Sequence, residues 1–314
     1  MDTPITKMLN IKYPLLVAPM FLISNEKMLI NAINKGVTAA IPAANFKNVD
    51  ELAMLIDKLK SHESNAFGVN IIVNKSNLQY REQLITVLNH KPDYVITSLG
   101  NPKEIISKCK PLGIKVFCDV VDIKYAQKVQ SLGADAIIAV CKEAGGHAGN
   151  IPAKDFIPEL KKHCKIPIIA AGGVANNIHF ENMLELGADA VSAGTVFLAA
   201  EEANISDEYR AAIIKYGAKD IVRTTKMSGA PLTVINTPYV KKIGLKANPL
   251  EKILNNNKRL KSFAKKQIMK RGAKQLEKAA FSATYRNVWC AGPAIEYIQK
   301  IRPIAEIIDD IVIS

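Results

Sequence analysis

The chain has 314 residues, of which 48% are hydrophobic and 23% are charged, and its formal net charge at pH 7 is +13. This composition excludes intrinsic disorder and a small disulfide-stapled domain, because enough apolar residues are present to fill a large core. No apolar run reaches the roughly 20 residues that a membrane helix needs, and the longest candidate, Ala188–Ala200, contains Asp189. We therefore expect a soluble, cytoplasmic protein with no membrane partner.

Much of the positive charge lies between Lys252 and Lys278. Nucleic-acid-binding surfaces interleave basic residues with aromatic residues for base stacking, but Phe263 is the only aromatic residue in this stretch. We therefore expect no nucleic-acid partner and interpret the stretch as the solvated face of a helix. Attraction of an anionic substrate is the functional alternative.

Short apolar runs recur along the chain up to Ala200, and stretches with the apolar spacing of helices separate them. The runs are Tyr13–Ala18, Val37–Ile41, Phe67–Val73, Tyr94–Thr97, Lys115–Val120, Ala136–Val140, Pro167–Ala171 and Ala190–Gly194. Strands that are apolar on both faces and alternate with single helices are typical of a parallel sheet covered by helices. The eight repeated units predict an α/β fold of the (β/α)8 TIM barrel type.

A repeated sequence supports this fold. Leu-Gly-Ala-Asp-Ala occurs at Leu132–Ala136 and again at Leu186–Ala190, in both cases between a predicted helix and a predicted strand. Its glycine suits a left-handed helix cap. The competing fold is a doubly wound open sheet, which normally carries Gly-x-Gly-x-x-Gly after its first strand. Ala18-Pro19-Met20 stands there instead.

The alternation ends after Ala200. From Asn204 to about Ala280 the pattern is helical apart from a loop around Ser228–Pro231, and the segment from Phe281 onward returns to apolar helix. We therefore predict a barrel over residues 1–203, a helical lid or substrate domain over 204–280 inserted after the eighth strand, and a C-terminal helix over 281–314 that returns to the barrel.

Candidate site residues lie where the strands end, because active sites of such barrels are built at the C-terminal ends of the strands. The first strand ends in Ala18-Pro19-Met20, against which a flat ring can lie, although an ordinary turn explains the segment nearly as well. Asn70 lies toward the end of the third run, among Val and Ile residues. A polar group there needs a partner, which either another loop or a ligand supplies.

The sixth run leads into Glu-Ala-Gly-Gly-His-Ala-Gly at Glu143–Gly149. Glycines around His147 allow the backbone to approach a ligand closely, and histidine is the side chain best suited to remove a proton near neutral pH. The other four histidines lie in helical or polar stretches. We therefore predict that His147 is catalytic, with a structural bond to a loop carbonyl as the alternative.

The seventh and eighth runs end in Gly172-Gly173 and in Ser192-Ala193-Gly194-Thr195. In barrels these two loops frequently bind phosphate through backbone N–H groups. A phosphate there, an apolar segment at the first strand, an amide at the third and a histidine at the sixth suit a flat phosphorylated cofactor. No strand-end lysine is present for pyridoxal phosphate, and no carboxylate cluster suggests a metal. We therefore predict FMN and no metal.

These motifs resemble the nitronate monooxygenases, formerly called 2-nitropropane dioxygenases, which are related to the FMN-dependent type II enoyl-acyl-carrier-protein reductases. The resemblance covers nearly the whole chain. The matching segments are Pro14–Ser24, Phe67–Asn70, Glu143–Gly149, Ala170–Gly173, Gly194–Leu198 and Val288–Gly292.

The resemblance implies roles for individual residues. His147 becomes the catalytic base, and Met20 lies beside the flavin. The implied FMN-binding set is Ala18, Pro19, Met20, Asn70, Val140, Gly145, Gly172, Gly173, Ser192, Ala193, Gly194 and Thr195. The chain departs from the family pattern at Val140, where many members carry glutamine, and at Ser192-Ala193, which is often Gln-Met.

The implied reaction oxidises an alkyl nitronate or nitroalkane with O2 to a carbonyl compound and nitrite. The alternative is enoyl reduction with NAD(P)H, because the related reductases share the Gly-Gly-His loop. The segment Ser228–Leu232 differs from the Thr-Gly-His-Pro-like loop of those reductases and favours the monooxygenase. The expected partners are the small-molecule substrate and O2. The sequence does not decide between a monomer and a homodimer.

Overall fold

The computed structural model describes residues 1–61, 66–74, 77–225, 231–246 and 288–313. Eight parallel strands form a closed barrel in chain order, with β1 paired to β8. They are β1 Leu15–Val17, β2 Thr38–Pro42, β3 Phe67–Ile72, β4 Tyr94–Ser98, β5 Lys115–Val120, β6 Ala136–Val140, β7 Ile168–Ala171 and β8 Ala190–Ala193. Each strand overlaps one predicted apolar run, and the predicted (β/α)8 barrel is confirmed.

Helices separate the strands. A short helix, α1, precedes β1, and one α-helix follows each of the strands β1 to β7. These helices are α1 Pro4–Leu9, α2 Glu26–Asn34, α3 Val49–Ser61, α4 Tyr80–His90, α5 Lys103–Cys109, α6 Ile123–Ser131, α7 Ala153–His163 and α8 Asn177–Glu185. After β8 the chain forms a 3-10 helix over Thr195–Ala199 and then α9 over Asp207–Lys215.

The Leu-Gly-Ala-Asp-Ala repeat forms the same connection at both of its positions. Gly133 and Gly187 have φ values of +92° and +105°, so they are left-handed helix caps, as predicted. The aspartate that follows accepts a hydrogen bond from the neighbouring strand, since Asp135 Oδ2 lies 2.8 Å from Val116 N and Asp189 Oδ2 lies 2.9 Å from Ile168 N. The repeat therefore turns the chain from helix into strand and sets the start of that strand against its neighbour.

The interior of the barrel is packed with large apolar side chains near the N-terminal ends of the strands. Tyr94 stacks on Phe117 with ring centroids 4.7 Å apart, and its hydroxyl lies 2.8 Å from Thr38 Oγ1. Ile5 and Leu9 of α1 join this cluster. The helix α1 therefore closes the N-terminal end of the barrel, which we call the floor.

The helical pattern predicted after Asn204 is wrong for two segments. Residues Ile221–Thr224 form β9 and residues Leu232–Ile235 form β10, which pair as an antiparallel hairpin. Both segments are rich in β-branched residues, which favour strands, and they are too short for apolar spacing alone to separate helix from strand. The helix α10, Pro238–Ile243, follows the hairpin.

Part of the predicted lid lies outside the described residues, including the basic stretch Lys252–Lys278 and the loop residues 228–230. The lid boundaries at 204 and 280 therefore remain predictions. The last helix, α11, covers Ile304–Val312 and packs against α2 and α8. Within the described parts of the chain, no helix is both long enough and apolar enough to cross a membrane.

A buried carboxylate links α11 to the barrel. Glu202 Oε1 accepts a hydrogen bond from Asn31 Nδ2 at 2.8 Å, and Oε2 accepts one from Ile304 N at 3.0 Å. Asn31 belongs to α2, and Ile304 is the first residue of α11. Glu202 therefore joins the first barrel helix and the C-terminal helix through one side chain.

Candidate active site

A cavity of about 1650 Å³ lies at the C-terminal ends of the barrel strands. Every predicted site residue lines it, in agreement with the location expected for this fold. These residues are Ala18, Pro19, Met20, Asn70, Val140, Gly145, His147, Gly172, Gly173, Ser192, Ala193, Gly194 and Thr195. The structure therefore brings the whole predicted set to one surface, and the role of each residue stays a prediction.

Glycine is required where the loops after β6 and β7 meet. Gly172 and Gly173 have φ values of +114° and +83°, which side-chain-bearing residues rarely adopt. A Cβ at Gly172 would lie 2.4 Å from the backbone nitrogen of Ala144, and one at Gly145 would lie 2.8 Å from that of Gly292. The backbones pack directly against one another here, as expected for a site that brings main-chain groups close to a ligand.

The ends of β7 and β8 fit a phosphate group. Among the described residues, no backbone carbonyl accepts a hydrogen bond from the N–H of Gly173 or of Thr195. Both residues line the cavity, and backbone N–H groups at the ends of these two strands frequently bind phosphate in such barrels. Thr195 Oγ1 accepts a bond from Gly292 N at 2.9 Å, which ties the C-terminal segment to the same corner of the cavity.

The turn after β1 forms an apolar wall of the cavity, and hydrogen bonds hold it in place. The N–H of Met20 donates to Ser24 Oγ at 2.8 Å, and the N–H of Leu22 donates to Asn45 Oδ1 at 2.7 Å. The N–H of Ala18 donates to the carbonyl of Ala193 at 2.8 Å. The apolar segment of β1 therefore lies beside the end of β8, where the phosphate group fits.

The loop that carries His147 is held by the β9–β10 hairpin. Gly146 and Thr233 exchange backbone hydrogen bonds of 3.0 and 2.7 Å. Arg223 donates to the carbonyls of Ala148 and Gly149 at 2.7 and 2.6 Å, and to Asn150 Oδ1 at 2.7 Å. Sequence reasoning missed Arg223, because it lies in a segment interpreted as helix and no local motif marks it.

His147 lines the cavity, and partial desolvation of its imidazole lowers its pKa. Among the described histidines, only His147 lines the cavity. A lowered pKa keeps the ring neutral near pH 7, and a neutral ring can accept a proton. The arrangement therefore suits a general base.

A second titratable group was missed on the strand next to β6. Asp119 of β5 lines the cavity, and burial raises its pKa to about 6. Ser98 Oγ donates to Asp119 Oδ2, and Asn70 Nδ2 donates to Ser98 Oγ at 2.7 Å. Asn70 thus has a partner in the neighbouring strand and also faces the cavity, so both alternatives raised for it stay compatible with its position. A charge inside the apolar run Lys115–Val120 was the available signal for Asp119.

The sequence model of the family described as nitronate monooxygenase matches residues 76–314 of the chain. The chain belongs to the nitronate monooxygenase family. The resemblance noted in its motifs is therefore confirmed. Membership in this family, together with the relatives described next, makes the chain an oxidoreductase.

Curated relatives of two kinds are similar to the chain. A (3aS,4S,5R,7aS)-5-hydroxy-7a-methyl-1-oxo-octahydro-1H-indene-4-carboxyl-CoA dehydrogenase of Rhodococcus jostii is 29% identical over 238 residues, which cover 76% of the chain and 67% of the relative. A probable nitronate monooxygenase of Staphylococcus aureus is 27% identical over 283 residues, which cover 76% of the chain and 79% of the relative.

Solved structures show the same architecture. FabK from Thermotoga maritima superposes with a TM-score of 0.85 at 27% identity, covering 99% of the chain and 95% of the neighbour. A nitroalkane oxidase from Streptomyces ansochromogenes superposes with a TM-score of 0.78 at 19% identity, covering 98% of the chain and 96% of the neighbour. The second likeness shows the shared fold alone.

Proposed function

We propose that the chain is an FMN-dependent nitronate monooxygenase, which oxidises alkyl nitronates or nitroalkanes with O2 to carbonyl compounds and nitrite. The observation that carries the proposal is the position of His147, whose imidazole shares one cavity with the glycine ends of β7 and β8. Membership in the nitronate monooxygenase family supports the assignment of the reaction.

The cavity walls suggest how FMN is held. The N–H groups of Gly173 and Thr195 would bind its phosphate, and the segment from Ala18 to Met20 would pack against the flavin ring, with Asn70 supplying a polar contact. Val140, Gly145, Gly172, Ser192, Ala193 and Gly194 complete the set of proposed contacts. Bound FMN would supply the electron-accepting group and the reactivity with O2 that this oxidation requires.

His147 has a separate role for each form of the substrate. A neutral nitroalkane carries an acidic α proton, and the neutral imidazole removes it as general base. An alkyl nitronate has already lost this proton, and its negative charge would favour protonation of the neighbouring imidazole, so that a protonated His147 stabilises the bound anion instead. The contacts of Arg223 with the carbonyls of Ala148 and Gly149 hold the loop in which this imidazole is presented.

Enoyl reduction with NAD(P)H is the second candidate, because the FabK structure superposes over 99% of the chain at 27% identity. The size of the cavity also favours it. A volume of about 1650 Å³ exceeds the usual range of small-molecule sites, roughly 300–1,000 Å³. A flavin and a sizeable acyl substrate fit this volume together.

Flavin reduction distinguishes the two candidates. The purified protein should show a flavin absorbance spectrum under air. Under anaerobic conditions, addition of an alkyl nitronate should bleach the flavin band, whereas reduced nicotinamide alone should leave it unchanged. Bleaching by NADPH or NADH but not by nitronate would replace the monooxygenase with the reductase. A protein that is colourless and takes up no added FMN would refute both.

A further inference from the structure

Three polar side chains cross the ends of β3, β4 and β5 as one hydrogen-bonded chain. Asn70 Nδ2 donates to Ser98 Oγ at 2.7 Å, and Ser98 Oγ donates to Asp119 Oδ2. All three residues line the cavity. They lie on neighbouring parallel strands, which brings their side chains together at one edge of the barrel.

The direction of these bonds determines how the amide of Asn70 is oriented. A serine hydroxyl has one proton, and an ionised carboxylate can only accept, so the proton of Ser98 is directed to Asp119. The oxygen of Ser98 must then accept from Asn70, which requires the Nδ2 group on that side. Asn70 Nδ2 also donates to the carbonyl of Ile96 at 3.2 Å. The amide oxygen is therefore left to accept hydrogen bonds elsewhere.

Keeping the carboxyl group of Asp119 ionised in this position costs free energy. Burial raises its pKa to about 6, and the bond from Ser98 lowers it. The titratable groups close to it are Cys118 on its own strand and Tyr125 on α6, and Asp122 lines the same side of the cavity. None of these three side chains carries positive charge. Among the described residues no ion pair with Asp119 is found, and a partly buried carboxylate without one disfavours the folded state. The stability of the fold therefore does not explain this residue.

We propose that Asp119 and Ser98 are positioning residues, which hold the amide of Asn70 so that its oxygen accepts a hydrogen bond from an N–H group of the bound flavin. This inference rests on the proposed FMN site. Asp119 acts only through Ser98 and Asn70, so its effect on FMN binding depends on the amide being present. That dependence separates a positioning role from a general effect of charge or stability.

The test measures the dissociation constant of FMN by quenching of flavin fluorescence. Asn70→Ala, Ser98→Ala and Asp119→Leu should each weaken FMN binding by about tenfold, the effect of losing one hydrogen bond to a ligand. The double variant N70A/D119L should bind FMN as N70A does, because Asp119 has nothing left to position. The absorbance maximum of the bound flavin should shift equally in the three single variants.

Asp122→Asn is the matched control, because it removes a negative charge from the same wall but contacts neither Ser98 nor Asn70. It should leave FMN affinity unchanged. If D119L does not fold, Asp119→Asn takes its place, because asparagine keeps the shape of the side chain. S98A tests the same hydrogen-bonded chain independently. Wild-type protein that binds no FMN would refute the proposed function. If the wild-type protein binds FMN and S98A binds it equally tightly, this inference alone is overturned. The same holds if the losses of FMN affinity in N70A and D119L add in the double variant.

Discussion

The same eight strands are closed by packed side chains at one end of the barrel and open into a cavity at the other. At the floor, Tyr94 and Phe117 stack inside the barrel and α1 closes the end. At the opposite end, a cavity of about 1650 Å³ is lined by glycines, a histidine and a carboxylate. The comparison shows that the floor provides packing and hence stability, with its polar Tyr94–Thr38 pair hydrogen-bonded internally, while the opposite end presents polar and titratable groups to a cavity.

Glycine itself differs between the two ends. A Cβ at Gly68, near the floor, would lie 2.1 Å from the ring of Tyr94. A Cβ at Gly194, at the cavity, would lie 3.5 Å from Ala18 Cβ, which is an ordinary contact. Gly68 therefore makes room for another side chain, whereas a methyl group at Gly194 would fit the protein and occupy part of the cavity.

The largest effect is expected at the cavity, from His147→Asn. This variant should fold and bind FMN, because the amide still forms hydrogen bonds in the loop. It should turn over a neutral nitroalkane about two to four orders of magnitude more slowly, the usual effect of losing a general base. Because burial lowers the pKa of His147, the wild-type kcat/KM should fall only below pH 6.5, and this fall should be absent from the variant.

The same variant should lose less activity on a pre-formed nitronate, whose α proton is already gone. Steady-state kinetics on both substrates measures the difference. Equal losses would assign His147 to charge stabilisation rather than proton removal. No loss on either substrate, with FMN retained, would leave it a structural residue.

The next largest effect is expected at the floor, from Gly68→Ala. The added methyl group collides with the Tyr94 ring, and overpacking of this kind costs about 3 kcal/mol in the free energy of unfolding. Urea denaturation followed by circular dichroism measures it. Gly194→Ala is the matched control, since it should unfold within about 0.5 kcal/mol of wild type while binding FMN more weakly. Equal destabilisation by both substitutions would contradict the distinction between the two ends.

A smaller effect is expected from Arg223→Ala, which removes the side-chain hydrogen bonds from the hairpin to the His147 loop and leaves the Gly146–Thr233 backbone bonds in place. We expect kcat to fall about tenfold, because the imidazole is less well positioned, and FMN affinity to be retained. Arg223→Lys should restore little, since an ammonium group cannot match the planar guanidinium fork. Lys219→Ala, which removes an exposed cation from the same segment, is the control. An unchanged kcat in R223A would show that Arg223 does not position the loop.

A further effect concerns the dependence of the unfolding free energy on pH. Burial raises the pKa of Asp119 from 3.8 to about 6, so between these values the folded state binds more protons than the unfolded state. The contribution of Asp119 to stability is therefore lost as pH rises through this range. The unfolding free energy of Asp119→Asn relative to wild type should rise from pH 4 to pH 6 and level off above it. A difference that stays constant with pH would contradict the raised pKa.

Sequence alone predicted the barrel and the location of its site. Each strand is a local apolar run, and Gly133 and Gly187 mark the helix ends within a five-residue repeat. Residues at strand ends meet in any closed parallel barrel. For this reason His147 and the glycines after β7 and β8 could be assigned to one cavity without coordinates.

Only the tertiary structure decided which side chains support those residues. Arg223 reaches the His147 loop across more than seventy residues of sequence, and Ser98 joins Asn70 to Asp119 across three strands. The β9–β10 hairpin was interpreted as helix because its short strands lack a distinctive period. Contacts of this kind depend on the distance and angle between elements far apart in the chain, whereas helix and strand patterns depend on neighbours within a few residues.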